Sequence, residues 1–220
     1  MRKPVTEGVV IVLVFVLMLW TAKQVNWMAV FKVEQNTKIA EKKLGELFWD
    51  IFRKTETETQ SQSAKQAIDS IVFRICTRNK IDPDNIKVHI LDKAEINAFA
   101  LPDGHLVVYS GLILASANPE ELSGVLGHEI AHIRLNHVIK KLMKEWGLAY
   151  LVSVSTSNSG SAQIKAAAKM LSSTAFDRSL EKEADLRAVD YLVNSDIDPI
   201  PFAHFLNRFS IDRDEKSSFS

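Results

Sequence analysis

The spacing of apolar residues changes several times along the chain, and each spacing predicts a different element. From Gly8 to Ala22 nearly every residue is apolar, with Arg2 and Lys3 ahead of the run and Lys23 behind it. A run of roughly fifteen such residues predicts a hydrophobic export segment, either a signal-peptide core or a short membrane helix. Met18, Leu19 and Trp20 are large where a cleavage site wants small side chains, and Trp20 and Trp27 suit a membrane interface. Residues 1–24 are therefore expected to stay as an anchor. From Val33 to Lys54, Leu44, Leu47, Phe48 and Ile51 recur at helical spacing, and residues 55–63 are polar. The reading for 25–63 is a juxtamembrane helix, its apolar face docked on the domain that follows, and then a linker.

Further on, Asn97 to Leu101 and His105 to Tyr109 read as two short strands around Pro102-Asp103-Gly104, a turn composition that fixes φ and then permits φ > 0. Asn118 is a good N-cap and Pro119 fits the first helical position. Glu121 completes a capping-box arrangement ahead of Leu122, Val125 and Leu126. Gly124 and Gly127 sit inside this predicted helix, at a cost of about 1 kcal/mol each, so another element is expected to approach closely at both. An apolar stretch from Trp146 to Val154 runs into a serine-rich segment ending at Ser161, read as a loop able to gate a cleft. That stretch is about half what a membrane helix needs. A second helix is expected from Ser173 to Asp185, and a polar tail over 211–220 that leaves no room for a further helical-repeat domain. The architecture this predicts is α+β and mainly helical, with a small sheet in one domain over residues 64–210.

Composition narrows the field without choosing within it. Twenty-seven basic residues balance 27 acidic ones among 220, which gives no electrostatic footprint for nucleic acid. The single cysteine, Cys76, excludes an intrachain disulfide. It lies far from the N-terminus, which argues against a lipid anchor, and reads as a small buried apolar residue.

The chemistry concentrates in His128-Glu129-Ile130-Ala131-His132. On a helix, HExxH puts two imidazoles one turn apart with a carboxylate beside them, the pattern of a zinc site with a general base. The same spacing also suits a buried helix whose histidines find hydrogen bonds. A third ligand has to come from elsewhere. The metzincin position is Val138, which excludes that class, and His137 falls off the His128/His132 stripe, where a surface or capping role is expected. Glu181 and Asp185, spaced i,i+4, share a face that Glu183 does not. That pair could supply a ligand and an outer partner for a ligating histidine, or could be a solvated face of ion pairs.

HEIAH, the run Arg178-Ser179-Leu180-Glu181-Lys182-Glu183-Ala184-Asp185, and Asn97-Ala98-Phe99-Ala100-Leu101-Pro102-Asp103-Gly104 followed by Gly111-Leu112-Ile113 occur in the order found in one family. Across residues 64–206 the chain resembles the HtpX-like and CAAX prenyl endopeptidase-like zinc metallopeptidases, the peptidase M forty-eight group, in a single-anchor bacterial form. The resemblance implies a zincin-like domain, with one Zn2+ per chain held by His128, His132 and Glu181, Glu129 as the base, and Asp185 as a partner of a ligating histidine. Candidates for holding the oxyanion are His204 and Arg178, although Arg178 is expected to pair with a nearby carboxylate. Asn97, Ala98, Phe99 and Ala100 would form the strand that pairs with a peptide substrate, so side-chain demands on the substrate would be few.

The expected function is a zinc metalloendopeptidase acting on unfolded or misassembled proteins in envelope quality control. It would be tethered by its N-terminal helix with the domain on the outer, periplasm-like side, or free in the periplasm if the anchor is cleaved. A membrane-tethered latent or chaperone-like protein keeping the zincin fold is the alternative. A CAAX-type processing enzyme would need an intramembrane chamber that one short anchor cannot build.

Overall fold

A computed structural model describes residues 33–147, 151, 161–173 and 176–218, with side chains for all but 33–37, 161–163, 173 and 210–218. The expected anchor, and most of the expected serine-rich loop, lie outside the described residues. Among the described residues no helix is long and apolar enough to cross a membrane. The chain divides into two compact units, Met1–Ile39 and Ala40–Ser220. Only the start of helix α1 (Val33–Thr55) is described in the first, and the second holds the remaining described residues.

The second unit is built around three strands, β1 (Lys87–Leu91), β2 (Ala98–Ala100) and β3 (His105–Tyr109), in the order β1-β3-β2. Strand β3 lies in the middle, parallel to β1 and antiparallel to β2, with Phe99 opposite Val107. All five residues of β3 are buried. Period-two alternation sends Leu106 and Val108 into one core and Val107 and Tyr109 into the other. The β2–β3 turn has Asp103 at φ 60° and Gly104 at φ 76°, as its composition predicts.

The first core joins α2 (Gln62–Arg78) to three helices whose sequence is apolar at helical spacing. These are α4 (Pro119–Arg134), α7 (Arg178–Asn194) and α8 (Ile200–Ser218), which follow the short α3 (Ser110–Ala115) and two more helices, α5 (His137–Trp146) and α6 (Ser161–Ser173). The second core joins α1, α5 and α6 to the opposite face of the sheet. Leu44, Phe48 and Phe52 of α1 are buried there, so the expected docking of this helix on the domain holds.

The structure revises three expectations. Residues 57–59 are not a free linker: Thr59 N–H donates to Ile90 O at 2.9 Å and Asp92 N–H to Thr57 O at 2.8 Å, which closes the outer edge of β1. Ser173 ends α6 instead of opening the next helix, which starts at Arg178 behind the N-cap Asp177. The polar tail is helical to Ser218 as part of α8.

Helix α4 starts as its sequence specifies. Asn118 Oδ1 accepts from Glu121 N–H at 2.8 Å, with Pro119 in the first turn. Glu121 reaches back one residue further than a capping box requires, accepting from Ala117 N–H at 2.8 Å, and its buried carboxylate pairs with Arg208 of α8 at 2.7 Å. Gly124 is where α8 crosses, because a Cβ there would run into the Phe202 ring. At Gly127 the neighbour is Ala188 of α7 at 3.9 Å, an ordinary contact that alanine would also satisfy. Small side chains at the Gly127–Ala188 contact let α4 and α7 lie close, which brings the HExxH turn against the face of α7 bearing Glu181 and Asp185.

Candidate metal centre

On α4, His128 and His132 point their Nε2 atoms at each other, 2.9 Å apart. Across the gap, Glu181 of α7 puts Oε2 3.7 Å from His128 Nε2 and Oε1 3.8 Å from His132 Nε2. These three side chains are the one group of three or more potential ligands found among the described residues, with one donor atom each inside a 4.8 Å circle. Two imidazole nitrogens and a carboxylate oxygen are the donor set of a zinc site that leaves a fourth position open.

The surroundings fit a cation at that point. Burial pulls the His128 pKa down, but the contact with Asp185 and the charges of Glu129, Asp185 and Glu181 more than offset it, leaving it above its ordinary value. Three carboxylates around one imidazole thus call for positive charge. His132 is held neutral, its pKa near 2 through burial first and then His128, His137 and Lys141. A neutral ring is the form that ligates. Asp185 Oδ1 stands 2.9 Å from His128 Nδ1 but off the line of the ring N–H, a close pair rather than a well-aligned hydrogen bond.

Glu129, on the same turn, is buried, and its Oε2 accepts from Ala100 N–H on β2 at 2.9 Å. Burial raises its pKa to about 7, with Glu181 adding to the rise and His128 and the Ala100 N–H opposing it. The β2 register explains the contact. Leu101 N–H donates to His105 O at 2.8 Å and Asn97 O accepts from Tyr109 N–H at 3.0 Å, so Ala98 and Ala100 turn their backbone groups away from β3. Phe99 is a core side chain, 5.1 Å from Phe52 and 5.6 Å from Tyr109 between ring centres. Asn97 Nδ2 donates to Ser172 O of α6 at 2.9 Å.

Both oxyanion candidates are exposed. His204 is exposed on α8 because Phe202 and Phe205 occupy that helix's inward face, and its charge is felt at Glu121. Arg178 is exposed in the first turn of α7 and makes no ion pair among the described residues, while neighbouring Asp177 pairs with Lys144 at 2.8 Å.

Two residues the sequence did not place at the centre stand behind it. His137, expected at the surface, has no exposed area: its Nδ1 lies 3.0 Å from His132 Nδ1 and its Nε2 3.3 Å from Glu183 Oε2. Helix α4 stops at Arg134, Asn136 takes a left-handed conformation (φ 56°), and His137 opens α5 pointing back at the site. Asn in the left-handed region was the available signal. Phe176 stacks on the His132 ring at 4.1 Å and donates its N–H to Glu181 Oε1 at 2.8 Å.

The model of peptidase family M48 matches residues 62–217. The chain belongs to peptidase family M48. Its M48 relatives include the mitochondrial metalloendopeptidase OMA1 of Bos taurus, 32% identical over 110 residues, which cover 46% of this chain and 21% of that protein. The beta-barrel assembly-enhancing protease of Yersinia pestis is 30% identical over 134 residues, covering 56% and 28%. Metalloprotease YcaL of Escherichia coli K12 is 31% identical over 116 residues, covering 50% and 44%. The chain thus spans less than half the length of each of these relatives.

A second histidine pair lies on the sheet. His89 Nε2 and His105 Nδ1 are 2.8 Å apart, and Trp49 of α1 stacks on His89 at 3.6 Å. His89 Nδ1 is 3.9 Å from Glu58, too far for a hydrogen bond, and His105 Nε2 is buried without a partner. Burial lowers the His89 pKa to about 3, helped by His105 and Lys87. Burial and Lys87 lower that of His105 to about 4.

Proposed function

We propose that this M48 chain is a zinc-dependent metalloendopeptidase that hydrolyses peptide bonds in unfolded or misassembled proteins. The observation that carries the reading is the convergence of His128, His132 and Glu181 beside a buried Glu129 that is tied to the edge of β2. His128, His132 and Glu181 would hold the metal. Zinc, when bound, acidifies water and polarises a carbonyl. Glu129 takes the proton of the attacking water on its carboxylate and returns it to the leaving amine. A pKa near neutrality suits both transfers, and a dication among its neighbours favours the ionised, proton-accepting form. The hydrogen bond from Ala100 keeps that carboxylate against β2, where the outward backbone of Ala98 and Ala100 is placed to pair with an extended peptide. Main-chain pairing asks little of substrate side chains, which suits unfolded proteins. Asp185 would steady His128.

The relatives named for β-barrel assembly and the apolar Gly8–Ala22 run support a role in envelope quality control, with residues 1–24 as the anchor and the domain on the outer side of the membrane. The test is cleavage of an unfolded protein by the full-length, zinc-loaded chain. Glu129→Gln is expected to retain zinc and lose about 10²- to 10⁴-fold in rate, and chelation to abolish cleavage. A wild-type chain that binds zinc at the three residues and cuts nothing would overturn the reading in favour of a latent or chaperone-like protein.

A further inference from the structure

We infer that His137 is a positioning residue for the metal centre: held by Glu183, it fixes the proton of His132 on Nδ1 and leaves His132 Nε2 with a free lone pair. The inference rests on reading His132 as a metal ligand.

Each hydrogen in the chain Glu183–His137–His132 can be assigned from one end. A carboxylate only accepts, so His137 Nε2, 3.3 Å from Glu183 Oε2, carries the hydrogen. A neutral imidazole has one N–H, which makes His137 Nδ1 an acceptor. Its neighbour at 3.0 Å, His132 Nδ1, must then be the donor. The nitrogen left bare is His132 Nε2, the atom facing His128 and Glu181. With the proton on His137 Nδ1 instead, His132 would carry its own on Nε2 and be closed to a cation. The backbone supports a dedicated role. His137 reaches this place only because the chain breaks at Asn136 between two helices, and its fully buried ring has a partner at both nitrogens. Ring orientation is fixed as well, since Phe176 stacks on the face of His132.

An outer partner of this kind is worth about 10- to 100-fold in metal affinity. The test uses the full-length chain and its His137→Leu, His137→Asn and Glu183→Ala variants. Zinc dissociation constants come from competition with a chromophoric chelator, melting temperatures from the metal-free proteins, and the His132 tautomer from nitrogen NMR of the metal-free protein. His137→Leu is expected to weaken zinc binding by about 10- to 100-fold. His137→Asn, whose side-chain oxygen can accept near the place of Nδ1, should recover most of that, and Glu183→Ala should fall between. The wild-type spectrum should show His132 protonated on Nδ1. Zinc binding by His137→Leu equal to the wild type, or a His132 protonated on Nε2, overturns the inference. If His137→Leu does not fold, Glu183→Ala and the spectrum decide. A wild type that binds no zinc would remove the reading of the centre, and the tautomer alone would then decide the hydrogen-bond chain.

Discussion

The two histidine pairs of this molecule share nearly the same nitrogen-to-nitrogen distance, 2.9 Å on α4 and 2.8 Å on the sheet, yet their chemistry is opposite. On α4 the far nitrogen of each ring faces a partner that ends in a carboxylate, Asp185 directly and Glu183 through His137. The near nitrogens face Glu181 together. On the sheet no carboxylate is within bonding distance of the far nitrogens, and one ring donates to the other beneath Trp49. What separates the two pairs is therefore what stands behind the rings, not the distance between them.

Metal analysis gives the sharpest contrast. His132→Ala is expected to cost more zinc affinity than the about 10- to 100-fold lost with an outer partner, while His89→Ala leaves one zinc per chain. Zinc lost equally from both variants would erase the distinction.

Acid stability reports on the sheet pair through His89. The folded-state pKa of His89, about 3, lies below its unfolded value, so the neutral ring's contribution is complete above about pH 6.5 and is lost as pH falls towards 3. Urea unfolding of the chelated full-length chain at pH 7 and pH 5 should show the wild type losing about 2 kcal/mol more than His89→Phe over that interval. Equal losses would mean that His89 is not buried as a neutral ring. The smallest effect is expected for Glu58→Gln. Its carboxylate is 3.9 Å from His89 Nδ1 and 43% exposed, so unfolding should shift by less than about 0.5 kcal/mol, with zinc binding unchanged.

Much of the centre was legible because its signals are local. Asn118 and Pro119 start α4, and HExxH lies at helical spacing within it. What pairs Glu181 with that turn is the packing of α7, which the spacing of Glu181 and Asp185 left open and the family resemblance supplied. His137 was misplaced because the helical wheel of α4 was extended through Leu135 and Asn136, where the helix ends. His204 lies on the outer face of α8 because Phe202 and Phe205 take the inward one, a preference their apolar spacing carries. In the fold, the β2–β3 hairpin was readable from its turn, whereas nothing local marks the polar residues 57–59 as the cover of β1, and of the two α4 glycines only Gly124 meets a close approach.

The partners that complete α4 are made long after it. Glu183 follows His137 by 46 residues and Arg208 follows Glu121 by 87. At ribosomal speeds of about 5–20 residues per second, the histidine turn waits roughly 2–9 s for the α7 side of its centre and longer for the clamp on its first turn. During synthesis the histidines exist first as a half-site, and the centre is assembled only once α7 has followed.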